Sequence, residues 1–141
     1  PMKSSARNQL TGTIHRIEDC SGCHSIAVQC GSHLVYSHIS PPAYRSLKPQ
    51  IGQTAVVLFK ANAITLFTEI HPLRLSAENS LEARVEAIEQ GAVNNIVRLR
   101  TDDGFTLAAA ITLNSSESLD IRAGQRITAV FFANQTMLAI L

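Results

Sequence analysis

Ser5-Ala6-Arg7-Asn8-Gln9-Leu10 returns in altered form as Ser76-Ala77-Glu78-Asn79-Ser80-Leu81, and this echo decides how the rest of the chain is read. With the two hexapeptides superposed, Ile17 falls on Ile88, Ile39-Ser40 on Ile111-Thr112, and Ser46-Leu47 on Ser118-Leu119. Gly52-Gln53 then falls on Gly124-Gln125 and Ala61-Asn62 on Ala133-Asn134, with one residue of drift in mid-repeat. A register held over that length marks one fold copied in tandem. The 141 residues divide into a first module over 4–68 and a second over 76–141, with 69–75, which contains His71-Pro72, as the linker.

Each module is small, so the two are expected to pack together or to oligomerise in order to bury enough apolar surface. Apolar residues make up 45% of the chain, aromatic residues 5%, and Trp is absent. This suits compact β-modules with aliphatic cores and argues against a surface on which nucleic-acid bases stack. Twelve basic residues against 11 acidic leave a net charge of +1. That balance offers no general attraction to nucleic acid or to a membrane surface. No apolar run is long enough to span a bilayer and no signal-peptide pattern opens the chain, so a cytoplasmic protein without membrane or direct nucleic-acid partners is expected.

The periodicity is that of short strands. In the first module these are Leu10 to Ile17, Ser25 to Cys30, His33 to Ile39, Thr54 to Phe59 and Ala63 to Phe67. Turns are expected at Asp19–Gly22, Gly31-Ser32 and 48–52, and Pro41-Pro42 ends the third strand ahead of a helical turn over Ala43–Leu47. The second module repeats the order with Leu81 to Ile88, Asn95 to Arg100, Thr106 to Ile111, a helical turn within Asn114–Leu119, Gln125 to Phe131 and Thr136 to Ile140. The expected fold class is all-β: two tandem small OB-like five-stranded β-barrels, each with a short helical turn. Barrel closure removes the exposed edges that make short strands sticky.

The opening hexapeptide, Gly12 two residues beyond it, Ile111-Thr112 and Phe59-Lys60-Ala61 resemble the Mop, or molbindin, modules, and the resemblance runs from about Ser4 to the C-terminus. It implies a protein that binds molybdate or tungstate for storage or homeostasis, is not an enzyme, and uses no organic cofactor. Two fused modules resemble the stand-alone di-Mop proteins, which implies a homotrimer. The related molybdate-responsive regulators imply a dimer, and the effector-binding half of such a regulator is the alternative reading. Met2-Lys3-Ser4-Ser5 so near the start favours the stand-alone protein, because a regulator needs an upstream helix-turn-helix.

Molybdate is a tetrahedral dianion with four acceptor oxygens, so its pocket needs many donors, one or two cations and no carboxylate. The resemblance assigns Ser5, Ala6, Arg7, Lys60, Ala61, Thr112 and Ser115 to oxyanion binding, with Ser40, Ser76 and Ala133 as weaker members. The first repeat holds the cations Arg7 and Lys60 but has Ser40 for threonine, Ala43 where a second hydroxyl is needed, and two prolines without N–H groups between them. The second repeat keeps Thr112 and Ser115, yet has Glu78 for arginine and Phe132 for lysine. Neither repeat is competent alone. A composite pocket, with Ser5, Arg7 and Lys60 of one repeat facing Thr112 and Ser115 of another, would set two cations against two negative charges. Ser76 and Glu78 facing Ser40 would then form a degenerate counterpart. Thr112 and Ser115 also fit the ordinary role of capping a helix.

Cys20-Ser21-Gly22-Cys23-His24 is a second constellation, with Cys30, His33, His15 and His38 close in sequence. Its spacing matches covalent haem attachment, which usually demands an exported chain that nothing here indicates, and fits better a zinc site drawn from Cys20, Cys23 and two of Cys30, His24 and His33. Against both stands the plain expectation of a reduced pair of turn cysteines and one core cysteine, Cys30. No spacing points to a nucleophilic triad, a carboxylate pair or a glycine-rich phosphate loop. A module that has lost oxyanion binding and serves only as an interaction surface, or binds zinc, completes the range of readings.

Overall fold

The computed structural model describes residues 2–69 and 74–141. Residues 70–73, which fall within the expected linker, lie outside the described residues. The first repeat forms β1 (Asn8–Cys20), β2 (Cys23–Cys30), β3 (His33–Ile39), α1 (Pro41–Leu47), β4 (Thr54–Phe59), a 3-10 turn (Ala61–Ala63) and β5 (Thr65–Phe67). The second forms β6 (Asn79–Glu89), β7 (Asn94–Arg100), β8 (Thr106–Thr112), α2 (Leu113–Ser118), β9 (Arg126–Phe131), a 3-10 turn (Ala133–Gln135) and β10 (Met137–Ile140).

The chain is all-β in two five-stranded sheets, but the sheets do not follow the repeats. One runs β10-β4-β1-β2-β3 and the other β5-β9-β6-β7-β8, so each repeat's last strand completes the other repeat's sheet. Two compact units result: unit 1 holds residues 1–59 and 132–141, and unit 2 holds residues 60–131. Sequence order cannot announce such an exchange, because β5 and β10 are short apolar strands that fit either sheet equally well by pattern.

Within each unit a long first strand does double duty. The start of β1 pairs with β4 (Asn8↔Phe59 to Thr13↔Thr54) and its remainder with β2. A bulge between Ile14 and Arg16 bends it from one partner to the next, and β6 bends at the matching place between Val85 and Ala87. The turn before β4 is tied to that bend by Gly52 N–H to Ile14 C=O at 2.8 Å and Ile14 N–H to Gln53 C=O at 2.9 Å. Gly124 N–H to Val85 C=O and Val85 N–H to Gln125 C=O, both 2.8 Å, repeat the arrangement. Edge strands then meet: β10 packs on β3 in unit 1 and β5 on β8 in unit 2, closing OB-like barrels.

Aliphatic side chains fill both interiors. Leu10, Ile14, Ile26, Val28, Val35, Val57 and Phe59 are buried in unit 1, and Leu81, Val85, Val97, Leu99, Leu107, Ile127 and Phe131 in unit 2. Each contributes about 1.5–3 kcal/mol of transfer free energy. The mid-repeat slip lies in the β2–β3 connection. Unit 1 turns there on Gly31-Ser32, while unit 2 uses a longer Asp102–Phe105 turn knotted by Thr101 N–H to Phe105 C=O at 2.8 Å and Thr101 Oγ1 to Asp103 Oδ1 at 2.6 Å.

Several expected boundaries shift. β1 continues through Asp19 to Cys20, leaving Ser21-Gly22 as the turn, with Gly22 at φ 73°. Pro41 and Pro42 not only end β3 but open α1, occupying its first positions, where a missing N–H leaves no bond unmade. Residues 61–63 form a 3-10 turn in place of the start of a strand, which confines β5 to Thr65–Phe67.

Candidate oxyanion-binding site

Buried Ala6 anchors the opening loop. It is 2% exposed and packs with Val56 and Leu58, flanked by Met2 and Ala139. Its N–H donates to Ser4 Oγ at 3.1 Å, and Ser4 Oγ donates back to the Ala6 carbonyl at 3.2 Å. Gln9 braces the same loop by hydrogen bonds to Met2 N and O at 2.9 and 2.6 Å. The neighbours of Ala6, Ser5 and Arg7, are left exposed on either side of this anchor. In unit 2 the corresponding Ser76 and Glu78 are exposed in the same way.

The end of the third strand is built alike in both units. Ser40 caps α1, its Oγ accepting from Ala43 N–H at 3.2 Å. Thr112 caps α2, its Oγ1 accepting from Ser115 N–H at 3.1 Å and donating to Ser115 Oγ at 2.9 Å. Thr112 and Ser115 therefore do cap a helix, and the capping bond holds two hydroxyls side by side. Ala43 provides no such partner for Ser40.

Lys60 and Ala61 lie in unit 2, not in the unit that contains most of their own repeat. Lys60 is exposed, Ala61 is 8% exposed, and the turn that follows Lys60 packs against β8, the strand that ends at Thr112. Unit 2 thus collects Lys60, Ala61, Thr112 and Ser115, together with Ser76 and Glu78. Unit 1 collects Ser5, Ala6, Arg7, Ser40 and Ala133, the last fully buried beside exposed Phe132. There the second 3-10 turn packs on β3, and Thr136 Oγ1 donates to the buried Ser37 Oγ at 2.7 Å.

Asn8 and Asn79 are positions that reading for charge and hydroxyl groups misses, although both opening hexapeptides carry them. They are 0% and 1% exposed at the first residue of β1 and of β6, directly after the exposed Arg7 and Glu78. Their recurrence within the repeat is the signal that marks them. A concavity beside α2 lined by Gln90, Gly91, Asn95, Leu113, Ser116, Glu117 and Asp120 carries two carboxylates, which disqualifies it for a dianion.

A family model for the TOBE domain matches residues 4–66 and again residues 75–138. The chain belongs to the TOBE domain family. Its two TOBE copies are the two repeats, and the Mop-type relatives agree with that assignment. The molybdenum transport protein ModE of Herbaspirillum seropedicae is 34% identical over 140 residues, spanning 99% of this chain and 52% of that protein. A probable molybdenum-pterin-binding protein of Haemophilus influenzae is 29% identical over 68 residues, 48% of this chain and 99% of that protein. The chain therefore spans about half the length of the ModE relatives and has room for two of the shorter protein. Among solved structures, the cytoplasmic molybdate-binding protein ModG with molybdate bound superposes with a TM-score of 0.93 at 29% identity, covering 99% of this chain and 100% of that one.

The cysteine-rich turn of this TOBE chain differs from expectation. Cys20 and Cys23 form a disulfide, not a reduced pair, because they sit opposite each other at the end of the β1–β2 ladder with Cα atoms 5.0 Å apart. His24 and Cys30 do not join them. His24 lies on the other face of β2, stacked on Tyr44 with ring centroids 3.9 Å apart, and Cys30 is buried at the far end of the strand.

Proposed function

We propose that this chain binds molybdate, or tungstate of nearly equal size and charge, through Lys60, the Ala61 backbone, Thr112 and Ser115 of unit 2. The observation that supports it is the strand exchange, which moves the first repeat's Lys60-Ala61 into the barrel that holds the second repeat's hydroxyl pair. A hydroxyl pair, a lysine and backbone N–H groups form the donor set that a tetrahedral oxyanion needs, with no carboxylate among them. Molybdenum-related names among the relatives, and the molybdate-bound ModG structure, point the same way.

One lysine half-neutralises a dianion. The second cation in this proposal is Arg7, with Ser5 beside it, supplied by a neighbouring copy in a homo-oligomer for which a trimer is the expected assembly. The role is intracellular oxyanion storage or buffering. A second reading has its own observation: the match covers half of a longer ModE protein, so the chain also fits the effector-binding half of a molybdate-responsive regulator. Molybdate-dependent DNA binding by a longer protein carrying this chain would support that role.

Isothermal titration calorimetry with molybdate, with sulfate as control, tests the site. Saturable binding of molybdate but not sulfate, lost in Arg7→Glu with an unchanged melting temperature, is the expected result. Full binding by Arg7→Glu would remove Arg7 from the site, and silence toward both molybdate and tungstate would mean that the barrel persists without its ligand. Competition between the two ions at one stoichiometry would show that they share the pocket.

A further inference from the structure

The β1–β2 turn of unit 1 holds chemistry that oxyanion binding does not use. Register places it: Cys20 pairs with Cys23 across the turn, and Ser25 pairs with His38 of β3. Side chains two apart on a strand share a face, so Cys23, Ser25 and His38 point the same way, and Cys20 joins them from across the ladder. The sulfur atoms of Cys20 and Cys23 and a ring nitrogen of His38 all lie within 4.8 Å of one another, each residue half-buried. Among the described residues this is the one such grouping of three that could hold a metal ion. His24, adjacent in sequence, is on the opposite face against Tyr44. Unit 2 has Gly91, Asn94 and Ala110 at the corresponding register positions, so the cluster belongs to unit 1 alone.

We infer that Cys20, Cys23 and His38 form a site for a thiophilic d10 cation, with Zn2+ as the fitting ion, which opens when the Cys20–Cys23 disulfide is reduced. Two thiolates and an imidazole are the preferred donors of such an ion. In a tetrahedral site with the usual Zn–S and Zn–N lengths, the donor atoms stand roughly 3.5–3.8 Å apart. The present cluster therefore reaches that geometry by side-chain rotation, with the strands held by their ladder. Three protein donors leave the fourth position to water or another small ligand.

The redox step balances with a dithiol reductant. It gives two electrons and two protons to the Cys20–Cys23 bond and becomes a disulfide itself, leaving two thiols on the protein. Binding Zn2+ then releases those two protons to solvent as the thiolates form. Oxidation removes both sulfur donors together, so metal occupancy reports redox state.

The test uses the whole chain in two states: oxidised, and reduced by a dithiol that is then removed anaerobically. Each is titrated with Zn2+ against a chromophoric chelator, and Co2+ serves as the spectroscopic probe for thiolate coordination. The reduced chain is expected to take one Zn2+ with thiolate-to-cobalt charge transfer, and the oxidised chain none. His38→Ala is expected to weaken binding by at least ~10-fold, the loss that even a residue supporting a ligand produces. His24→Ala and Cys30→Ser are expected to bind as the parent does. Equal binding in both redox states, no stoichiometric binding by the reduced chain, or unchanged affinity in His38→Ala would each overturn the assignment. The redox comparison needs no substitution, so a variant that fails to fold cannot obscure the result.

Discussion

Units 1 and 2 are two barrels of one design that have diverged in opposite directions. Bend, turn and core correspond position by position, from Leu10 and Leu81 to Phe59 and Phe131. What differs is the dressing. Unit 2 pairs Thr112 with Ser115 and receives Lys60, while unit 1 offers Ser40 beside Ala43 and receives Phe132. Unit 1 instead ends its β1–β2 ladder in a disulfide, where unit 2 stops pairing at Glu89↔Ile96. The difference teaches that strand exchange sorts the strand-end positions: the changes at Ser40, Ala43 and Phe132 fall together in unit 1, while Glu78 stays in unit 2 and the retained Arg7 in unit 1.

The sharpest way to break this comparison is Lys60→Glu. It reverses the cation in unit 2, and molybdate affinity measured by calorimetry is expected to fall by ~1000-fold or more, because a charge-assisted bond is replaced by repulsion. Phe132→Glu, the matching change in unit 1, is expected to leave affinity within about 3-fold, since surface changes away from a site act weakly. Comparable losses from both would erase the distinction.

Gly12→Ala comes next and probes the barrels themselves. An added Cβ would stand 2.2 Å from the Gln29 carbonyl oxygen and 2.9 Å from Cys30 Sγ. Unit 2 has buried Ala83 at the matching position. A loss of about 3 kcal/mol in denaturant unfolding is expected from the overpacking, whereas Ala83→Gly should cost about 0.5–1 kcal/mol.

Thr112→Ala separates ligand from cap. Removing a hydrogen bond to a charged ligand is expected to weaken binding by ~30-fold, and loss of the cap to cost about 1 kcal/mol of stability. Ser40→Ala should cost a similar amount of stability and leave molybdate affinity unchanged. The paired Cys20→Ser, Cys23→Ser variant probes the ladder end of unit 1. A cross-link closing so short a loop contributes about 1–2 kcal/mol through the unfolded chain, read as a modest fall in melting temperature with oxyanion binding intact.

Much of this is legible in the residues alone. Alternation of apolar residues locates nearly every strand, and the Ser-Ala-x-Asn-x-Leu echo exposes the duplication and the Mop resemblance. Ser40 and Thr112 sit just ahead of helical turns, so their capping can be read from residue type. Strand ends are less visible: the β1 ladder runs on to Cys20 because Asp19 and Cys20 find partners in His24 and Cys23, and pairing is a property of two segments. The same reason hides the cysteine chemistry. Sequence proximity groups His24 and Cys30 with Cys20 and Cys23, whereas the pleat turns His24 away and sheet register brings in His38 from the next strand.

The amino-acid sequence by itself determined that there are two barrels, what fills them, and which residues of the proposed oxyanion site each repeat carries, since periodicity and residue chemistry are local. Tertiary structure alone decided which half-sites share a barrel. β5 and β10 carry three and four residues, too few for their pattern to name a partner, and only the fold shows that β5 pairs with β9 and β10 with β4, each on the edge left by the other repeat's four strands.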